Sequence, residues 1–340
     1  MPKNRADQNR KHPRAFTLVE ILVALAITGL MMAALVYVFA NQQITYARQT
    51  ELAKAQSSAR GSLHSLARDI RMAGYTSVPL GMENLALKDT AYAVLSIRNG
   101  DTPIPEPHRS NNLAASLPTG GGDVIEIWGN FGRRNTELTA DVNAGENEIE
   151  VADPELFKAS GINTPGWIVV GDNEGRVEMH GVVNGDTNPI QLAGGATFQN
   201  DYQASGGESY VAPLCRRVYY VDPQGDTNSL GEDVSVLFMR NCVADDCTTS
   251  GNFREVAVAE DVDELEFLYH VFDQNTGTLI KDRHMECDPC SIRGVKVRIR
   301  TVSTAERERP FRQNFATAVR IRNVGLQASS CPITGCGSSY

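Results

Sequence analysis

The sequence predicts an α+β protein: a long N-terminal helix, transmembrane in its first half and amphipathic in its second, packed on an antiparallel β-rich globular domain. Three observations predict this. An almost unbroken apolar run, Phe16–Ala40, follows a basic leader. Apolar residues then recur at helical spacing as far as Ile70. Beyond Gly74 the pattern becomes short alternating segments separated by Gly-, Asn- and Asp-rich turns, the signature of strands.

The leader, residues 1–15, carries Lys3, Arg5, Arg10, Lys11 and Arg14 against Asp7. A helix over Phe16–Ala40 would be roughly 37 Å long, enough to cross a hydrocarbon core of about 30 Å. The basic leader places its start on the cytoplasmic side, with residues after Ala40 across the membrane. Glu20 is the single charge in the run. A carboxylate costs on the order of 3 kcal/mol at mid-bilayer and less near the edge, so Glu20 calls for a compensating partner. A cut between Ala15 and Phe16 would place a new amine one helical turn away, and the amine of a neighbouring copy would serve equally.

The stretch Ala15-Phe16-Thr17-Leu18-Val19-Glu20-Ile21-Leu22-Val23-Ala24-Leu25 resembles the class III signal of type IV pilins and type II secretion pseudopilins. The resemblance implies cleavage by a prepilin peptidase at Ala15/Phe16, N-methylation of Phe16, and an assembly role for Glu20. It also implies a pilin-like fold. The family usually has Gly before the cut, where this chain has Ala15. An ordinary signal peptide cut near Ala24-Leu25-Ala26 would leave the continuation of the apolar run to Ala40 unexplained. A plain signal-anchor would leave Glu20 without a use.

Past Asn41-Gln42-Gln43 the helix is expected to continue to Ala73. Leu52, Ala55, Ala59, Leu63, Leu66 and Ile70 fall at spacings of three and four, one buried stripe. Gly74 follows Arg71 as a C-terminal stop. The whole helix, 16–73, would run roughly 85 Å. Residues 74–123 read as a connection rich in proline, with one short strand at Tyr92–Ile97. Gly120-Gly121-Gly122 lacks the Lys and the following helix of a phosphate loop and reads as a turn.

Residues 124–212 read as an inserted small β subdomain, with strands at Val124–Trp128, Glu148–Val151, Trp167–Val170, Arg176–Val183 and Ile190–Leu192. Asp172, Asn173 and Glu174 have calcium-ligand chemistry, but acidic hairpin turns are far commoner than ion sites. Residues 213–340 read as a C-terminal antiparallel sheet with disulfide-rich loops. Its strands are Arg216–Val221, Val234–Arg240, Val262–Phe272, Gly294–Val302 and Asn314–Ile321, the last two forming a hairpin. That hairpin sets Lys296, Arg298, Arg300, Arg320 and Arg322 on one face. Like charges side by side are unfavourable, so Val262–Phe272 is expected beside it, with Glu264 and Glu266 pairing with the basic stripe. The order of these segments loosely resembles minor pilins of the PilW kind.

All seven cysteines lie in this last third. An oxidising compartment favours disulfides, and the local pairing is Cys242–Cys247, Cys287–Cys290 and Cys331–Cys336, leaving Cys215 over. Spacing alone does not fix the connectivity. His284-Met-Glu-Cys287-Asp-Pro-Cys290 looks like half a metal site without an ordered second pair. No G-x-S-x-G, H-E-x-x-H or Walker motif occurs, and the histidines are scattered, so the reading is no enzyme, no metal and no cofactor. The formal charge is −9, and loss of the +4 leader leaves −13. A chain this acidic is a poor nucleic-acid binder, and no nucleic-acid partner is expected.

The reading is a minor pilin of a type IV pilus. It would sit single-pass in the inner membrane with its domain in the periplasm, and be extracellular once in the fibre. The expected partners are other pilins or pseudopilins, met through the N-terminal helix, and the prepilin peptidase. A type II secretion minor pseudopilin of the J kind shares signal and architecture. A membrane-anchored adhesin or binding module is the reading from another class.

Overall fold

The computed structural model describes residues 17–74, 94–99, 102–103, 116–132, 135–157, 166–174, 176–184, 188–205, 209–227, 233–242, 247, 250–273, 277–283, 292–303 and 311–321. The architecture is α+β: one long N-terminal helix and a large antiparallel β domain. Helix α1 spans Leu18–Met72. The chain divides into two units, Met1–Ala53 and Lys54–Tyr340.

In the first unit α1 buries nothing. Every large apolar residue from Leu18 to Phe39 is between 49% and 76% exposed. This stretch is the one described helix long and apolar enough to cross a membrane.

In the second unit α1 buries the expected stripe from Ala55 on: Ala55, Ala59, Leu63, Leu66 and Ile70 are all covered, while Leu52, expected to begin it, is only half-buried. The helix ends where the sequence places its stop. Gly74 takes φ +71° and donates its N–H to the Trp128 carbonyl at 2.8 Å, a left-handed conformation that suits glycine.

Fifteen strands follow among the described residues: β1 (Val94–Asn99), β2 (Thr102–Pro103), β3 (Val124–Gly129), β4 (Thr136–Glu137), β5 (Glu148–Ile149), β6 (Trp167–Asp172), β7 (Val177–Asn184), β8 (Ile190–Leu192), β9 (Ser209–Thr227), β10 (Asp233–Cys242), β11 (Phe253–Glu260), β12 (Val262–Asp273), β13 (Thr278–Arg283), β14 (Ile292–Ser303) and β15 (Phe311–Arg320). They form two sheets. The larger runs β2-β1-β3-β9-β6-β7-β8-β5, with β10 and β4 also paired to β9 and β11 paired to the far side of β10; the smaller is β13-β12-β14-β15.

Strand β9 is the spine of the large sheet. Its first part, Ser209–Leu214, pairs with β6, while Cys215–Tyr219 pairs with β3 and Arg216–Thr227 with β10. It begins seven residues before the expected Arg216. At Pro213 it is paired on one side only, with β6, so a residue without an N–H is tolerated there. Strand β3, which the sequence groups with the insertion, pairs instead with β1 and β9. Its Ile125 and Ile127 join the same core as α1.

That main core gathers Leu63, Leu66, Ala67 and Ile70 of α1 with Tyr219 and Val221 of β9, Leu265, Phe267 and Tyr269 of β12, and Val295, Val297 and Ile299 of β14. A second core, drawn from residues between Leu138 and Val211, gathers around Ile168, Ile190, Phe198 and Tyr202.

The triple glycine is a clamp between the sheets. A Cβ on Gly121 would lie 2.2 Å from the Val221 carbonyl oxygen, and one on Gly122 2.2 Å from that of Leu265. Only glycine permits this approach. The Leu265 N–H donates to the Gly121 carbonyl, and Asp123 accepts the Phe267 N–H at 2.7 Å.

The carboxylate that α1 buries in the main core is matched by donors from β9. Asp69, on the buried face of α1, accepts from Arg217 Nη1 at 2.7 Å and from the Tyr219 hydroxyl at 2.5 Å. Burial, with the charge of Asp69, pushes the Tyr219 phenol well above its usual range. The expected pairing of β12 with the hairpin is present. Glu264 stands opposite Arg300 and Glu266 opposite Arg298. Arg298 bonds Glu266 at 3.0 Å, and Arg300 bonds Asp263 at 2.8 Å and also Glu264. Lys296 reaches Asp282 of β13 at 3.2 Å. Across the hairpin, Lys296 and Arg298 face Ala318 and Ala316, so no like charges oppose each other. Arg322 lies outside the described residues.

Two outcomes follow for the full-length chain in mild detergent, read by denaturant unfolding. Asp69→Ala leaves Arg217 partly buried without its anion and should lower stability by about 3 kcal/mol, whereas Asp69→Asn should cost less. Glu266→Lys and Arg298→Glu should each destabilise, and the double reversal should recover about 0.2–1 kcal/mol relative to the sum. Strict additivity would contradict the pairing.

Candidate functional site

The chemistry that the sequence singles out begins at the start of α1. Ala15 and Phe16 lie outside the described residues; Thr17 and Glu20 lie within them. Thr17 is the residue before the first helical turn, and Glu20 the third residue inside it. Their side chains form a reciprocal cap. The Thr17 N–H donates to Glu20 Oε2 at 2.9 Å and the Thr17 hydroxyl to the same oxygen at 3.0 Å, while the Glu20 N–H donates to Thr17 Oγ1 at 3.3 Å. This is a capping box, which satisfies amides that a helix start otherwise leaves open. The T-L-V-E spacing carries that signal in the sequence, where the partner expected for Glu20 is an amine. In the uncut chain no amine exists at Phe16, and Thr17 supplies the donors instead.

The arrangement fixes the carboxylate at the helix start, where the dipole favours a negative charge. Behind it runs the exposed apolar stretch of Leu18–Phe39. Soluble proteins rarely expose an apolar surface of this extent; lipid or other apolar helices are the natural cover.

Residues 10–36 match the family model of the prokaryotic N-terminal methylation motif. No curated protein and no solved structure matches the chain. The motif supports a pilin-like prepilin signal, and it overlaps the start of a helix long and apolar enough to cross a membrane.

The other residues singled out by sequence divide clearly. Cys242 and Cys247 are joined in a disulfide. Arg240 braces that loop: it donates to the Cys247 carbonyl at 3.1 Å and to Glu255 at 2.7 Å, and lies over the Phe253 ring at 4.0 Å. Cys215 is a free thiol packed against the main core. Burial pushes it above its usual range, against the opposing pull of Arg217. Cys287, Cys290, Cys331, Cys336 and His284 lie outside the described residues.

The acidic turn at Asp172 is committed to its own fold. Asp172 accepts the backbone N–H groups of Glu174 and Arg176 and pairs with the Arg176 side chain at 2.5 Å. The triad Glu178, His180 and Asn200 was not legible. Glu178 accepts from Asn200 Nδ2 at 2.6 Å and from the Gln199 and Asn200 amides, with His180 Nε2 at 2.9 Å. Burial opposes its ionisation, but these donors outweigh it and hold the carboxyl below its usual range. This pinned carboxylate ties β7 to the loop before Tyr202.

Loss of the cap has a direct readout. Thr17→Ala should weaken the first turn by about 1 kcal/mol and speed amide hydrogen exchange at Leu18–Ile21 of the full-length chain in micelles. Thr17→Ser should restore protection. Unchanged exchange in Thr17→Ala would show that the cap does not hold the turn.

Proposed function

We propose that the chain is a minor pilin of a type IV pilus. In this reading a prepilin peptidase cuts between Ala15 and Phe16 on the cytoplasmic face and the new Phe16 amine is methylated. Phe16–Ala40 holds the chain in the inner membrane, with the domain in the periplasm. Assembly then lifts it into the fibre, where its N-terminal helix packs among those of other pilins.

The observation that carries the reading is a lone carboxylate one turn into an exposed apolar helix, inside a matched methylation motif; with the cut proposed at Ala15/Phe16 it is the fifth residue of the mature chain. In lipid Glu20 is costly. Thr17 supplies neutral donors, which leave the charge in place; a cation offsets it, and the methylated amine of a neighbouring subunit is the cation that assembly brings. The rest of the chain is consistent with a structural subunit: its buried charges pair with one another across elements.

Glu20→Ala and Glu20→Gln chains should insert in the membrane at normal or higher levels, and be depleted about tenfold or more from sheared, purified fibres. That ratio corresponds to about 1.4 kcal/mol. Wild-type amounts in the fibre would contradict the role. Ala15→Gly should speed leader removal in a pulse-chase, since the smaller residue suits the peptidase's usual site.

A further inference from the structure

In the second unit α1 presents two faces. Ala55, Ala59, Leu63, Leu66 and Ile70 point into the core, while Ser57, Arg60, Gly61, His64, Ser65 and Arg68 are exposed. The sole acid between Lys54 and Met72 is Asp69, which is buried and held by Arg217. The exposed face is therefore cationic throughout. Lys54 is engaged by Glu260 at 3.1 Å. Arg60, His64 and Arg68 have no hydrogen-bond or ion-pair partner among the described residues. The basic stripe on the smaller sheet is different, since Asp263, Glu264, Glu266 and Asp282 already neutralise it.

The opposite charge is concentrated elsewhere in the chain. Residues 136–204 hold twelve Asp and Glu against Lys158 and Arg176, a net of −10. Glu148–Val151 touches Glu137–Leu138 through a single bridge, Leu138 to Val151; along these two segments Leu138, Ile149 and Val151 are buried, and Glu137, Glu148 and Glu150 are exposed. Helix positions 60, 64 and 68 recur at about 6 Å along the axis. Residues two apart on a strand recur at about 6.7 Å. The two rows match in pitch and oppose in sign.

We propose that the exposed face of α1 around Arg60, His64 and Arg68 is a docking surface for the acidic insertion of a second copy of this chain. The proposal rests on the pilin reading above. It joins two different patches, so the contact is heterologous: each copy offers one patch forward and one back. Such contacts propagate as open helical filaments when they do not close a ring. Complementary charge of this kind fixes orientation and partner choice more than raw affinity. The small residues between the cations, Ser57, Gly61 and Ser65, argue against a lipid surface, because an interfacial helix sets Trp, Phe or Leu beside its basic residues.

The test uses the full-length chain in native-host membranes, with a photo-crosslinking amino acid at Ser57 or Ser65. The expected product is a dimer of the chain, with the crosslink mapped by mass spectrometry to the insertion. Arg60→Glu with Arg68→Glu should reduce it about tenfold, and Glu148→Lys with Glu150→Lys should do the same. The chain carrying all four reversals should recover it. Raising salt from about 50 mM to about 500 mM should weaken the wild-type product. These residues are exposed, so thermal unfolding should be unchanged, which separates lost docking from lost folding.

Reversals that leave the dimer unaffected would overturn the proposal. So would crosslinks that map only to another subunit, or binding to vesicles of anionic phospholipid that the Arg60 and Arg68 reversals abolish. Leader cleavage is measured on the same samples. Uncut chains that still form the charge-dependent dimer would refute the pilin reading and leave the surface standing.

Discussion

Burial of one stripe of α1, from Ala55 to Ile70, is the constraint on which the β domain depends. Neither sheet closes its own core. Val221 and Tyr219 on the larger sheet and Phe267, Val297 and Ile299 on the smaller share a single apolar cluster with Leu63, Leu66 and Ile70. The helix stripe supplies part of the cover that each sheet needs. Asp69 fixes its rotation, because only one setting brings that carboxylate to Arg217 and Tyr219. The glycine clamp at Gly121 and Gly122 then ties Val221 to Leu265 across the sheets, so the two share one registration as well as one core.

The same helix behaves oppositely in its two parts, and that contrast links fold to function. From Lys54 onward its apolar side chains are buried within the chain. From Leu18 to Phe39 they are exposed, and nothing in their own unit covers them. An apolar surface with no internal cover is a demand for an external one. The methylation motif, which spans most of this stretch, fits a bilayer as that cover, and in the proposed fibre other helices of the same kind supply it. Thr17 gives Glu20 hydrogen bonds from neutral donors, so the carboxylate is ordered while its charge is left in place.

Much of this was legible in the chain, and what was not has physical reasons. The helix, its stripe and its stop at Gly74 follow from period and glycine placement. The pairing of Glu264 and Glu266 with Arg298 and Arg300 follows from strict alternation on β12 and β14. Strands β11 and β13 do not announce themselves: both lie at sheet edges, and Val256 and Leu279 are exposed, so no buried face imposes a two-residue period. The first part of β9 is masked in sequence by Pro213. Buried charge pairs are illegible for a different reason. Asp69 and Arg217 are 148 residues apart, and Glu126 and Arg216 are 90 apart, and no local pattern records a partner at that distance. The capping box at Thr17 was present in four consecutive residues, but a stronger signal in the same residues took precedence.

The central claim is that the N-terminus is a processed prepilin end, and the most direct measurement is the mass of that end. Protein from native-host membranes, digested and read by tandem mass spectrometry, should give an N-terminal peptide beginning at Phe16 with a single methyl group on its amine. A peptide that retains Met1–Ala15, or one that begins after Ala26 as an ordinary signal peptidase would leave it, would contradict the account.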